Sequence, residues 1–397
     1  MTDFLLQVIK SVEQSESAWC RYITANDTGT TGSHQAGFYV PKAAAPLFFD
    51  TLGVKGQNLE RTIKILWQNA FTTDSRIKYY GEGTRNEYRL TRFGRNFPFL
   101  TDDNVGDLLI IARANEEEYR GFVMSHDDDI DSFFAYFNLS PGETNRLIKS
   151  SQIFQDALNQ SLAAYAAKCT SFPTTKTMAE AARLCFNATN NISDRRITLI
   201  PDDVILSWVD TEYNLFRRIE ESLYSHILQQ PFHSIEEFIG TSNEILNRRK
   251  SRAGKSLEHH LSKIFSVSGL IFEEQAITED NKKPDFIFPN SGCYHNFQFP
   301  SELLTVLGAK TTCKDRWRQV LTEADRIDRK YLFTLQQGIS ANQLKEMKDS
   351  SLSLVVPKPY ISSFPKEYRS DILSLSNFIG CVKTKQDRTP RHFILTN

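Results

Sequence analysis

The stretch PDFIFP at 284–289 and the stretch LLTVLGAKTT at 303–312 decide the fold class of the C-terminal half of this chain. Both are short apolar runs, which is the pattern of buried strands. Intervening helical patterns separate them from two further strand-like runs, KYLFTLQ at 330–336 and SLVVP at 353–357. Strands that alternate with helices predict an α/β domain whose sheet is covered by helices and is parallel in part.

Amphipathic patterns predict the helices that cover this sheet. Apolar residues recur at helical spacing in six segments, which are 212–228, 234–246, 253–265, 315–327, 340–348 and 370–380.

The first 125 or so residues are predicted to be rich in β-structure. Turn signals break up short strand-like runs, a pattern typical of a barrel or sandwich. The acidic run Asp127–Asp129 is predicted to be an exposed turn, and residues 130–168 are predicted to be mostly helical. The strand-like runs are GFYVP at 37–41, PLFFD at 46–50, YRLTRF at 88–93, DLLIIARA at 107–114 and RGFVM at 120–124.

Length and composition indicate a protein of two domains. A chain of 397 residues exceeds one ordinary hydrophobic core. A break near 165–172 predicts domains at 1–165 and 168–397. No apolar run approaches the roughly 20 residues that span a bilayer. The start also lacks the basic region of a signal peptide, so the cytoplasm is the expected compartment and no membrane partner is expected.

The net charge and the cysteine content by themselves exclude few classes of function. The net charge is −1, although basic residues cluster at 248–255 and at 85–95. The net charge is a weak guide to nucleic-acid binding, because binding needs only a local basic surface. Each cluster taken singly is nevertheless interpreted as a solvated face. No pair of cysteines has the C-x-x-C spacing, so no zinc site is predicted.

Two polar residues mark the ends of adjacent predicted strands. Asp285 opens the strand at 284–289, and Lys310 ends the strand at 303–312. A carboxylate at a strand end can ligate a hard divalent cation, and a lysine beside it can orient a water and stabilise charge on a phosphate. This combination is the one that phosphodiester hydrolysis requires.

The acid that such nucleases usually carry two residues before the lysine is missing, because Gly308 stands there. Glu323 can replace it from the helix predicted over 315–327. Arg316, Gln319 and Glu323 would share one face of that helix. Glu258, on the helix predicted before the core, is a candidate for a further acidic group.

These residues also have simpler explanations. A Pro-Asp dipeptide with a lysine further along the chain occurs often by chance. Asp285 can simply start a turn, and Glu323 can be a surface residue paired with Arg326 or Arg316.

Longer segments carry a more specific signal. The stretches NRRKSRAGKSLEHHL (247–261), QAITEDNKKPDFIFP (275–289) and KTTCKDRWRQVLTEADRI (310–327) resemble the EcoRII restriction endonuclease family. In the N-terminal half, ANDTGTTGSHQAGFYVP (25–41) and GTRNEYRLTRFGR (83–95) resemble the same family in the same order.

The resemblance implies an α+β / α/β multidomain fold. It implies an N-terminal pseudobarrel similar to plant B3 domains and a C-terminal restriction-endonuclease-like domain of the PD-(D/E)xK fold, with the second acid displaced to a helix. Asp285, Lys310 and Glu323 match the catalytic trio, with Mg²⁺ held by Asp285 and Glu323. Tyr294 matches a tyrosine implicated in activity, and Glu258 is a weaker match.

Residues that contact DNA are also implied by the resemblance. Lys314, Asp315 and Arg316 match the reader of the outer C:G pairs, although Asp315 can also cap a helix. Gly83 and Tyr88 depart from the lysines expected at their positions. In the N-terminal half, the residues that match the B3-like contact surface are His34, Tyr39, Arg85, Glu87 and Arg89.

The implied activity is that of a type II enzyme, of the kind that needs a second copy of its site as an effector. Its target would be double-stranded DNA with a CC-W-GG or CC-N-GG sequence. A homodimer and a cognate cytosine methyltransferase acting on the same site are the implied partners. Two other hypotheses remain, which are a DNA-binding regulator with a decayed nuclease core and a repair nuclease that acts on DNA structure.

Overall fold

The computed structural model describes residues 2–29, 37–148, 157–390 and 393. The chain forms two compact units. The first comprises Met1–Gln152 with the segments Gln336–Lys345 and Ser362–Arg369, and the second comprises the remainder. The expected domain division at 165–168 stays a prediction. Within the described ranges, no helix has the length and apolar character needed to cross a membrane.

The first unit is built on an eight-stranded sheet in the order β2-β5-β4-β3-β7-β6-β1-β8. Neighbouring strands are antiparallel except for the parallel pair of β3 and β7. The strands are β1 (Ser17–Tyr22), β2 (Phe38–Val40), β3 (Leu59–Trp67), β4 (Phe71–Tyr80), β5 (Glu87–Thr91), β6 (Leu108–Arg113), β7 (Glu118–Met124) and β8 (Leu147–Ile148).

Apolar side chains cover both faces of this sheet. One core gathers Trp19, Phe38 and Trp67. A second core lies under helices that supply Leu5 and Phe133. These helices are α1 (Asp3–Glu13) and α3 (Asp127–Phe137), with the short α2 (Ala25–Thr28) between them in the chain.

Two predictions for this half are corrected by the structure. PLFFD is not a strand, because Lys42–Leu47 forms a 3-10 helix. Asp127–Asp129 is not an exposed turn but the first turn of α3, where Asp129 accepts hydrogen bonds from Thr2 Oγ1 at 3.1 Å. Acidic side chains are favourable there because the N-terminus of a helix is electropositive. The helix ends at Phe137, because Asn138 adopts a left-handed backbone with φ of 50°.

The second unit contains a six-stranded sheet in the order β14-β13-β12-β11-β10-β9. Strands β9, β10 and β11 are antiparallel, and β11 to β14 are parallel, so the prediction of partly parallel pairing is confirmed. The strands are β9 (Glu273–Glu274), β10 (Phe286–Phe288), β11 (Thr305–Lys310), β12 (Lys330–Thr334), β13 (Leu352–Val356) and β14 (Leu373–Ser374).

Helices cover this sheet, as the sequence predicts. Leu307 and Phe286 pack on one side with Leu261 of a long helix, and Ile287 and Val306 pack on the other. The helices after residue 152 are α4 (Ala157–Ala166), α5 (Thr175–Asn190), α6 (Asp194–Leu199), α7 (Pro201–Leu228), α8 (Ile235–Val267), α9 (Ser291–His295), α10 (Trp317–Leu321), α11 (Ala341–Asp349) and α12 (Leu375–Asp387).

The two helices predicted over 234–246 and 253–265 are one helix, α8. The basic stretch between them is helical and is held by α7. Arg249 forms a bidentate pair with Glu220 at 2.8 and 2.7 Å, and the buried Arg252 guanidinium lies 3.9 Å from the centre of the Tyr213 ring. Arg249 and Arg252 of this basic cluster therefore pack α8 against α7.

Candidate active site

The side chains of Asp285 and Lys310 meet as the sequence predicts. Phe286 pairs with Leu307 in the antiparallel register of β10 and β11, which brings the start of one strand beside the end of the other. Lys310 Nζ lies 3.2 Å from Asp285 Oδ2. The Asp285 side chain is 9% exposed and that of Lys310 is 26% exposed, so the pair is partly shielded from water and partly accessible.

Both oxygens of the Asp285 carboxylate accept hydrogen bonds. Ala309 donates its backbone N–H to Oδ2 at 2.8 Å, alongside the lysine. Gln275 donates its side-chain Nε2 to Oδ1 at 2.9 Å. A carboxylate held through both oxygens has a fixed orientation, which a ligand for a divalent cation requires.

Glu258 reaches the same site from α8. Its carboxylate accepts from Lys255 Nζ at 2.8 Å and from Gln275 Nε2 at 3.2 Å. Burial raises the pKa of Glu258, and the nearby negative charge of Asp285 raises it further, while Lys255 opposes both effects. The structure therefore places Glu258 beside Asp285, where the sequence predicted a further acidic group.

Glu323 also faces this pair, but not from a helix. Helix α10 ends at Leu321, so the prediction of one helix over 315–327 is wrong, and Arg316, Gln319 and Glu323 do not share a helical face. The chain leaves the helix because Lys330 Nζ donates to the carbonyl of Leu321 at 2.6 Å and Ala324 adopts a positive φ of 53°. Glu323 thus occupies the bend that follows α10.

The Glu323 carboxylate is unusual in its surroundings. Burial raises the pKa of Glu323 to about 7, and the charge of Asp285 adds to this effect against the opposing charge of Lys310. Its Oε2 is buried without a hydrogen-bond partner among the residues that the structure describes. A buried carboxylate oxygen without a donor is a costly arrangement that a cation would satisfy.

These groups fit a divalent cation by their chemistry, because they supply the oxygen ligands that Mg²⁺ prefers. No ready-made cluster of three or more His, Cys, Asp or Glu side chains is present in the described part of the chain. The remaining ligands of a cation on Asp285 and Glu323 would therefore come from water or from a bound substrate.

Tyr294 does not contact Asp285 in this structure. Its buried hydroxyl donates to Glu279 at 2.6 Å and accepts from the backbone N–H of Arg326 at 3.3 Å. Burial raises the pKa of Tyr294, and the hydrogen bond to Glu279 raises it further, so the phenol stays protonated. Glu279 also accepts from the backbone N–H of Asp325 at 3.2 Å. Tyr294 thus helps to hold the bend that carries Glu323.

Comparison with known proteins identifies the family. The family model "EcoRII C terminal" matches residues 216–379, and "Restriction endonuclease EcoRII, N-terminal" matches residues 12–145. The type II restriction enzyme EcoRII of Escherichia coli is 34% identical over 382 residues, covering 91% of this chain and 93% of that enzyme. The chain belongs to the EcoRII family of type II restriction endonucleases. Its N-terminal unit is a β-rich, B3-like EcoRII-N domain, and its second unit is an α/β restriction-endonuclease domain.

Two solved structures are similar at lower identity. Metal-depleted Ecl18kI in complex with uncleaved, modified DNA is 18% identical with a TM-score of 0.46, covering 63% of this chain and 86% of that one. The complex of the restriction endonuclease PspGI with substrate DNA is 15% identical with a TM-score of 0.45, covering 55% of this chain and 94% of that one.

The EcoRII-type segment 314–316 lies between β11 and α10. Lys314 is buried, Asp315 is exposed and Arg316 is half-buried, with its guanidinium donating to Thr312 Oγ1. Arg316 occupies the N-cap position of α10 without a side-chain capping hydrogen bond, and Asp315 precedes it.

In the EcoRII-N domain, four of the five predicted contact residues are described. Tyr39 on β2 pairs with Arg89 on β5 in the antiparallel register, and Arg89 Nε lies 3.4 Å from Glu87 Oε1. Arg85 is exposed, with its guanidinium over the ring of Tyr80. Tyr39, Glu87 and Arg89 share the polar face of the sheet, because side chains alternate between its two faces. Arg85, in the turn before β5, reaches this face through Tyr80, which pairs with Glu87. His34 lies outside the described residues.

Tyr88, one of the two departures from the family pattern, is a core residue. It is 2% exposed, and its hydroxyl accepts from the backbone N–H of Gly53 at 2.7 Å. Because Tyr88 points into the core between Glu87 and Arg89, it does not belong to the polar face on which those residues lie. The exposed Gly83 is in the turn before β5.

Two residues of the site were missed by the sequence reasoning. Gln275 lies between the carboxylates of Glu258 and Asp285, and Glu279 binds Tyr294. Both fall in the loop between β9 and β10. Neither has a periodic or motif signal, so only the family resemblance across 275–289 marked their segment.

Proposed function

We propose that this EcoRII-family enzyme hydrolyses phosphodiesters of double-stranded DNA at a CCWGG-like site in a Mg²⁺-dependent reaction. The observation that carries the proposal is the convergence of Asp285, Lys310 and Glu323. The lysine ammonium lies 3.2 Å from the aspartate, and the glutamate presents a buried oxygen without a donor.

The residues have distinct roles in this reaction. Asp285 and Glu323 would hold Mg²⁺, which would supply Lewis-acid stabilisation of the phosphate. Lys310 positions the attacking water and stabilises the charge that develops on the phosphate. Glu258 supplies a further acidic group beside Asp285, and Tyr294 supports the bend carrying Glu323.

Recognition is assigned to two separate surfaces. Lys314 and Arg316 would donate to guanine O6 and N7, and Asp315 would accept from cytosine N4. In the first unit, the polar face that bears Tyr39, Arg85 and Arg89 would bind a second copy of the site as an effector. His34 and Glu87, which the family resemblance also implies as contact residues, would bind the same effector DNA.

The proposal extends to the partners of the enzyme. A two-fold symmetric site calls for a two-fold protein, so a homodimer is proposed. A cognate cytosine methyltransferase would protect the same site in the host. The place of action would be the cytoplasm, where the DNA to be cut is found.

Cleavage of plasmids that carry one or several CCWGG sites tests this proposal. Discrete fragments that map to CCWGG, appear with Mg²⁺ and disappear with EDTA are expected. Cleavage should be faster on the plasmid with several sites, because one copy serves as effector. Fragments that map elsewhere would reject the target sequence. Binding without cleavage would favour a DNA-binding regulator instead, and cleavage without discrete fragments would favour a nuclease that recognises DNA structure.

A further inference from the structure

Gln275 connects two acidic groups that belong to different elements. It follows β9, and its side-chain Nε2 donates to Asp285 Oδ1 at 2.9 Å and to Glu258 Oε2 at 3.2 Å. Its backbone N–H also donates to the carbonyl of Asp285 at 3.2 Å. One residue therefore ties the aspartate at the start of β10 to the glutamate on α8.

The backbone of Gln275 is strained where it makes these bonds. Its φ is 52°, in the left-handed region that glycine adopts freely and that a longer side chain adopts at a steric cost. Such residues persist where surrounding contacts fix them, and they cluster at functional sites. A glycine would suit this backbone better, but it would lack the side-chain hydrogen bonds that Gln275 makes to Asp285 and Glu258.

The electrostatics of the site indicate what the Gln275 side chain contributes. The Asp285 and Glu258 carboxylates repel each other at close range, and a primary amide can donate one N–H to each without adding charge. On the other side of Asp285, Ala309 N–H and Lys310 Nζ hold Oδ2. With Gln275 on Oδ1, the aspartate is restrained through both of its oxygens.

We propose that Gln275 is a positioning residue for the cation site, which orients Asp285 and holds Glu258 beside it. The inference rests on the proposed function, in which Asp285 ligates the cation. Groups that hydrogen-bond to a metal ligand commonly contribute about 10- to 100-fold in metal affinity or activity. A role of this size is expected for the Gln275 side chain.

Two variants separate this role from a structural one. Gln275→Gly removes the side chain and relieves the left-handed strain, whereas Gln275→Met keeps a side chain of similar length without an N–H donor. Ser351→Gly is the matched control, because exposed Ser351 also has a positive φ, of 55°, and lies in the turn between α11 and β13. The measurements are Ca²⁺ affinity of the full chain by calorimetry, the midpoint of thermal unfolding, and DNA cleavage with Mg²⁺.

Both Gln275 variants are expected to bind Ca²⁺ about 10-fold more weakly or worse and to cleave more slowly. The midpoint of thermal unfolding for Gln275→Gly should equal or exceed that of the wild type, as for Ser351→Gly. Thus Ca²⁺ affinity and activity would fall while stability is kept or increased, which loss of a merely structural residue would not produce.

The outcomes that overturn the inference are distinct from failure of the proposed function. Ca²⁺ affinity and cleavage within about twofold of the wild type in both variants would overturn it, as would a wild-type chain that binds no Ca²⁺. If the wild type binds Ca²⁺, the variants bind it weakly and no DNA is cleaved, the nuclease proposal fails while the positioning role stands.

Discussion

Val320 fills the space into which a side chain at Gly308 would project. A Cβ atom built on Gly308 would lie 2.7 Å from Val320 Cγ2, which is closer than real Cβ contacts allow. An acid at position 308, where related nucleases usually carry one, is therefore excluded by α10. The same helix leads into the bend that carries Glu323. Helix α10 therefore leaves no room for an acidic side chain at position 308, and the bend after it brings Glu323 to the site instead.

Gly308→Ala should lower the free energy of unfolding by about 1–3 kcal/mol, because it overpacks the contact between β11 and α10. In a Val320→Ala background the added methyl group has room, so the cost of Gly308→Ala should fall. Urea unfolding of the four proteins of this double-mutant cycle measures the coupling. Gly254→Ala is the control, since a Cβ there meets open space on α8 and should be tolerated. Strictly additive effects would show that Val320 does not exclude a side chain at 308.

Tyr294→Phe should reduce the rate of DNA cleavage by about 10-fold without preventing folding. The variant loses the hydroxyl that binds Glu279 and Arg326 N–H, and so loosens the bend that carries Glu323. The lost hydrogen bond should cost about 1 kcal/mol of stability. Single-turnover cleavage and urea unfolding provide the two readouts.

Tyr136→Phe is the matched control for this prediction. The Tyr136 hydroxyl also donates to a glutamate, Glu13, but it does so in the EcoRII-N unit. Its removal should leave single-turnover cleavage unchanged. Equal effects of the two substitutions on cleavage would contradict a specific role for Tyr294.

Acid should destabilise the second unit through the buried pair of Glu212 and His260. His260 Nε2 lies 2.9 Å from Glu212 Oε2, and Arg183 donates to His260 Nδ1 at 3.2 Å, so the ring is neutral with its proton on Nε2. Burial lowers the pKa of His260, and Arg183 and Arg252 lower it further against the opposing effect of Glu212. His259, the adjacent histidine, also has a pKa lowered by burial.

The sign of the pH dependence follows from this lowered pKa. Below about pH 6.5 the unfolded chain binds a proton that the folded chain does not, so stability falls as the pH falls. Burial alone would raise the pKa of Glu212, but His260 and Arg252 outweigh it and lower that pKa, so its protonation adds a loss at more acidic pH. The free energy of unfolding, measured with urea, should fall less between pH 7.5 and pH 5.5 for His260→Gln than for the wild type. The exposed control His226→Gln should lose as much stability as the wild type. If His260→Gln also loses that much, the Glu212–His260 pair is not a cause of the acid sensitivity.

The order of strands and helices in the second unit could be predicted because its strands are continuous apolar runs bounded by polar residues. The pairing of Asp285 with Lys310 followed from the same reasoning, since both stand at strand ends. The longest hairpin of the first unit, β3 and β4, was not predicted. Its turn contains Gln68 and Asn69, both with positive φ, and lacks the glycine or proline that usually marks such a turn.

The positions of Glu323 and Gln275 depend on contacts that the sequence does not display. Helical periodicity continues past Leu321, but Lys330 Nζ and the Tyr294 hydroxyl end the helix from distant parts of the chain. The bridging position of Gln275 depends on a left-handed backbone at a residue type that rarely adopts one. Tertiary contacts rather than local patterns therefore complete the candidate site.

The most direct test of the active site is Lys310→Ala, compared with the wild type on the same CCWGG duplex. Lys383→Ala, an exposed lysine of α12, is the control. Cleavage with Mg²⁺ should fall at least about 100-fold for Lys310→Ala, because a donor aimed at the developing charge is lost. Binding of the duplex in a gel-shift assay should remain, and the control should cleave normally. Cleavage by Lys310→Ala at the wild-type rate would contradict the assignment of this site as the nuclease centre.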